Sequence, residues 1–147
     1  VANGSITIYD GETAVNYGID VEKKQFLGKS AFAGKTFQGS YYDEYDEGNP
    51  DLLIIFDDAS ALTGVIQKGS SYYKYRAKFT AEFDGTTLTI TVVEDIENSP
   101  GWANKVLTAT LRGDTFTVVS WNGSKTVAGQ KMYDFVGAKL KCDGFSL

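Results

Sequence analysis

Between Tyr73 and Phe83 the residues Tyr73, Tyr75, Ala77, Phe79, Ala81 and Phe83 alternate without a break with Lys74, Arg76, Lys78, Thr80 and Glu82. Side chains of an extended strand point alternately to its two faces, so a period of two predicts a long strand with one face buried and one in water. A helix would scatter the same apolar set around its circumference. Asp84-Gly85 follows at once, and Leu88, Ile90 and Val92 then alternate with Thr87, Thr89 and Thr91, which predicts an antiparallel hairpin closed by a primed turn.

The same signals recur along the chain. Leu107, Ala109 and Leu111 face Phe116 and Val118 across Gly113-Asp114, and Asn122-Gly123 marks a further tight turn after Trp121. Upstream, Ile6 and Ile8 end at Asp10-Gly11, Phe37 to Tyr42 is strand-like, Leu52 to Phe56 is an unbroken apolar run, and Leu62 to Gln67 continues the pattern. The last strand is expected within Lys131 to Leu140. The one helical candidate is Asp20 to Ala33, capped by Asp20 and limited by Gly28 and Gly34. The expectation is an all-β fold: an antiparallel meander of about nine or ten strands closed into a barrel, with a β-sandwich as the alternative. A chain of 147 residues suits one domain, 1–147, that needs no staple to hold its core. Residues 1–30 read either as a linker or as a peripheral N-terminal strand.

From Phe32 to Thr91 the order of features resembles the start of the lipocalin-like (calycin) β-barrels. A short helical turn leads into Gly34-Lys35-Thr36-Phe37-Gln38-Gly39. The Leu53-Ile54-Ile55-Phe56-Asp57 strand, a strand holding Gly64, and Tyr73-Lys74-Tyr75 opening a long strand into Asp84-Gly85 follow. The Gly-x-Trp signature of true lipocalins is absent, and Phe37 stands one place beyond the expected Trp. The resemblance implies an up-and-down barrel with a ligand site at one mouth.

The chemistry open to the chain is narrow. It has no histidine, which removes the commonest general base and every Ser-His-Asp or Cys-His arrangement. The single cysteine, Cys142, allows neither an intramolecular disulfide nor a zinc set. A net charge of −5 spread over loops offers no basic stripe for nucleic acid, and no apolar run approaches the ~20 residues of a membrane-spanning helix. Glu94, Asp95 and Glu97 beside Trp102 are the candidates for a carboxylate-based glycosidase, but acids on a proline-containing loop are more simply solvated. The stretch from Asp43 to Asp51 gathers oxygen ligands, with Asp43, Asp46 and Asp51 as weak calcium candidates. Its twelfth place is Ile54 rather than a bidentate Glu, so no metal and no cofactor are expected. Arg112-Gly113-Asp114 at a turn tip, and the acceptor triplets Asn3-Gly4-Ser5 and Asn122-Gly123-Ser124, are explained by turn chemistry alone.

The two Trp, nine Tyr and nine Phe supply the candidates for a binding face. Trp102, Trp121, Tyr41, Tyr42 and Tyr72 lie beside turns or in adjacent pairs, where an exposed ring with polar neighbours can stack on a sugar or another ligand. The competing reading makes the tryptophans plugs at the barrel ends and the tyrosines shields for neighbouring strands. Ala77 and Ala81 leave room for a cavity, although a filled interior is the expectation for any protein. Together these readings predict a non-catalytic binding or interaction module of a secreted or cell-surface bacterial protein. A small molecule, a glycan or a protein would be its partner. A calycin-like carrier of a small hydrophobic ligand is the alternative, and a glycosidase the third.

Overall fold

The computed structural model describes residues 31–44, 50–58, 62–69, 74–98 and 100–147. Eight strands close into an antiparallel barrel: β1 (Thr36–Ser40), β3 (Asp51–Phe56), β4 (Thr63–Gly69), β5 (Lys74–Phe83), β6 (Thr87–Glu97), β7 (Val106–Arg112), β8 (Thr115–Trp121) and β12 (Lys139–Lys141). Around the barrel they follow chain order, an up-and-down meander. The remaining strands are two-residue pieces outside the barrel wall: β2 (Tyr42–Asp43) pairs with β11 (Tyr133–Asp134), and β9 (Thr126–Val127) with β10 (Gln130–Lys131).

The all-β barrel expected from the alternation is therefore present, and its eight strands in up-and-down order are compatible with a calycin-like barrel. The count of nine or ten comes down to eight because the segment between Trp121 and Lys139 adds only the short pieces β9, β10 and β11. The last barrel strand begins at Lys139 rather than earlier. Of the expected helix, Ala31 and Phe32 are helical and Ala33 lies in a turn; residues 20–30, with the Ile6–Ile8 strand, lie outside the described residues.

Period two places the inward residues as expected. Leu52, Ile54 and Phe56 of β3, Phe79 and Phe83 of β5, Leu88, Ile90 and Val92 of β6, and Leu107 and Ala109 of β7 are buried. At the β5–β6 turn the Asp84 carboxylate accepts the Thr86 and Thr87 N–H groups at 2.9 and 2.7 Å, an Asx-type link that sets the strand register. Those two bonds hold the Asp84 carboxyl below its usual range. The barrel closes where β1 meets β12, and there Gly39 passes so close to Lys139 that a Cβ would overlap the Lys139 carbonyl oxygen. Only glycine fits such an approach.

Each end of the barrel is filled with rings. At one end Phe32 lies between Phe56, with centroids 4.9 Å apart and planes at 16°, and Phe145, at 5.1 Å and 5°. Phe37, Phe83 and Phe116 surround it. The helical turn and the C-terminal segment thus supply a lid from outside the sheet. At the other end Trp102, Trp121, Phe135, Tyr133 and Tyr41 form a second set with centroid separations of 5.0 to 6.4 Å, mostly in the edge-to-face geometry that aromatic quadrupoles favour.

Candidate functional site

The second end gathers most of the residues that the sequence marks for recognition, and backbone irregularities put them there. In β8 the pairings Thr108↔Ser120 and Ala109↔Val118 leave Val119 as an extra residue. This bulge shifts the alternation by one, so Val119 and Ser120 both face out and Trp121 turns in at 5% exposure. The Asp95 carboxylate takes the N–H groups of Gly101 and Trp102 at 2.9 and 3.0 Å. The loop is thereby folded back and Trp102 is carried into the barrel end, where it is 0% exposed.

The polar atoms of these rings form a short chain. Trp102 Nε1 donates to the Tyr133 hydroxyl at 2.8 Å, and that hydroxyl donates to the Gly123 carbonyl at 2.9 Å. Gly123 lies against the Trp121 indole so tightly that a Cβ would overlap the ring. Trp121 Nε1 and Ser124 Oγ are buried without a hydrogen-bond partner among the described residues. Burial raises the Tyr133 phenol above its ordinary range, against the opposing effect of the Trp102 hydrogen bond.

Beneath this chain lies Lys68, the one charged residue that is buried among the described residues. It is in phase with Gly64 and Ile66 on β4 and so points inward. Its ammonium nitrogen is 4.1 Å from the centroid of the Tyr133 ring, 4.5 Å from that of Tyr75 and 5.9 Å from that of Tyr41, within cation–π range. Asp43 Oδ2 is 3.8 Å from the nitrogen, and both side chains are 10% exposed. Burial pushes the Lys68 pKa below its ordinary value, opposed by the Asp43 charge. The Tyr41 hydroxyl donates to the same Asp43 oxygen at 3.3 Å.

The sequence candidates thus fall in different places. Trp102, Trp121 and Tyr41 are buried, and neither indole presents an exposed face for stacking in this conformation. Tyr42 is 54% exposed and its hydroxyl donates to Glu44 at 2.6 Å. Tyr72 and Asp46 lie outside the described residues. Asp43 faces Lys68, whereas Asp51 accepts a hydrogen bond from Gln38 at 2.5 Å, so the two are engaged separately. No group of three His, Cys, Asp or Glu suited to a metal occurs among the described residues. Glu94 and Glu97 are exposed on β6, with Glu97 3.7 Å from Arg76. Lys68 and Tyr133 escape the sequence reading, although counting by two from Gly64 through Ile66 reaches Lys68 and would have placed it inside.

Comparison with protein families, curated proteins and solved structures returns no match.

Proposed function

We propose that this domain is a non-catalytic binding or interaction module of a secreted or cell-surface bacterial protein, engaging its partner through the outer rim of the Lys68 end. The observation that carries this reading is the aromatic packing at both barrel ends, continuous with the aliphatic core between them. Rings packed across both ends leave the outer surface as the face open to a partner. At the rim, Tyr42 presents an exposed ring beside Glu44, the pairing of apolar face and polar group that suits a glycan or a protein surface. The double engagement of Asp95 in holding Trp102 supports a structural rather than a catalytic use of that acid.

One observation favours the calycin-like carrier as a second reading. Trp121 Nε1 and Ser124 Oγ are buried with no hydrogen-bond partner among the described residues, and a bound ligand is one kind of group that satisfies such atoms, water being another.

A thermal-shift screen with glycans, calcium and fatty acids separates the two, because a ligand selective for the folded state raises its melting temperature. The rim reading expects stabilisation by a glycan or protein that Tyr42→Ala abolishes. Stabilisation by a fatty acid, unaffected by Tyr42→Ala, would replace it with the carrier.

A further inference from the structure

The geometry points to a covalent modification site: we infer that Lys68 and Asp43 can join through an amide bond between their side chains, stapling β4 of the barrel wall to β2 at its rim. The nitrogen and the carboxylate oxygen are 3.8 Å apart, and each side chain is 10% exposed. A charge-assisted hydrogen bond is normally ~2.7 to 2.9 Å long, so at 3.8 Å the ammonium and the carboxylate are held side by side, within a small movement of contact. Tyr133, Tyr75 and Tyr41 surround the nitrogen and limit the directions in which it can move. Tyr41 holds Asp43 Oδ2 from the other side. Holding the two groups together replaces an encounter in solution with a step inside one molecule, and burial favours the uncharged Lys68 amine that must attack.

The step balances without any other reactant. Proton transfer from the ammonium to the carboxylate yields the neutral amine and acid. The amine lone pair attacks Asp43 Cγ, the Nζ–Cγ bond forms and the Cγ–Oδ2 bond breaks. Oδ2 departs with the acid proton and one amine proton as water. An ammonium and a carboxylate become one neutral amide, which removes the buried charge of Lys68 together with that of Asp43 beside it. Tyr41, already a donor to Oδ2, is placed to hold the departing oxygen.

Intact mass spectrometry of the purified protein under denaturing conditions, before and after incubation at neutral pH, tests this. The expected mass is below the sequence mass by one water, and proteolysis should release a branched peptide joining the segment containing Asp43 to that containing Lys68. Lys68→Arg, which keeps the positive charge in the tyrosine cluster, and Asp43→Ala should both show their full sequence masses. Succinimide formation at Asp10-Gly11, Asp84-Gly85 or Asp143-Gly144 also sheds water, but persists in Lys68→Arg and gives no branched peptide. Full mass in the wild-type chain after incubation overturns the inference, as does a water loss unchanged by Lys68→Arg. The peptide map of the wild-type protein decides the matter even where a variant fails to fold.

Discussion

Trp102 and Tyr133, 31 residues apart in the chain, are joined by a buried hydrogen bond of 2.8 Å from the indole nitrogen to the phenol oxygen. The bond ties the loop after β6 to the segment that crosses the barrel end after β8. Because the Tyr133 hydroxyl in turn donates a hydrogen bond to the Gly123 carbonyl, Tyr133→Phe leaves a buried indole N–H without an acceptor and a carbonyl without a donor. A loss of about 1 to 3 kcal/mol is expected in urea denaturation. In a double-mutant cycle with Trp102→Phe the two losses should fall short of additivity by about 0.5 kcal/mol or more. Full additivity would mean that the bond contributes nothing.

Trp102→Ala and Trp121→Ala should each cost about 3 to 5 kcal/mol, since each removes a large ring from a packed end. Thermal denaturation monitored by circular dichroism would show both variants melting far below wild type. Tyr42→Ala, at an exposed position, should stay within about 0.5 kcal/mol of it. Unchanged melting of either tryptophan variant would return that ring to consideration as a binding platform.

Gly39→Ala should loosen the seam that closes the barrel. The added Cβ has to displace the Lys139 backbone, a rearrangement expected to cost about 1 to 3 kcal/mol. Hydrogen exchange should quicken in β1 and β12 while the amides of the β5–β6 hairpin keep their protection. Uniform acceleration across all eight strands would show that the seam is not a separate weak point.

Asp84 contributes a pH dependence of defined sign. Its carboxyl is held below the ordinary value of 3.8 by the Thr87 and Thr86 amides, so the folded chain binds fewer protons there than the unfolded chain as pH falls past that value. The contribution is complete above pH 3.8 and is lost as the pH drops through the folded-state pKa. The stability difference between wild type and Asp84→Asn should therefore be constant near neutrality and shrink below pH 3.8. A difference that grows on acidification would contradict the assignment.

Much of the barrel is legible one strand at a time. Alternation from Ala77 to Phe83 and from Leu88 to Val92 needs no knowledge of the partner strand, because a strand lying on a core must show one face to it. Pairing of these two segments follows from the tight turn at Asp84-Gly85. The recognition residues are harder. Counting by two from Phe116 through Val118 puts Ser120 inside and Trp121 outside, the opposite of what the bulge at Val119 produces. Nothing local to that stretch announces the extra residue.

The sequence by itself determined the strand character of the wall, the positions of its main hairpin turns and the chemistry closed to a chain without histidine, since each depends on residue type and near neighbours. Tertiary structure alone decided that Trp102 and Trp121 turn inward, that Phe32 and Phe145 seal one end, and that Lys68 meets Asp43 and three tyrosines at the other. These contacts join residues far apart in the chain, through bulges and loop hydrogen bonds whose effect on direction appears only once the barrel has closed. Side-chain alternation is a local property of an extended backbone, whereas which face becomes the inside of a mouth is a property of the whole sheet.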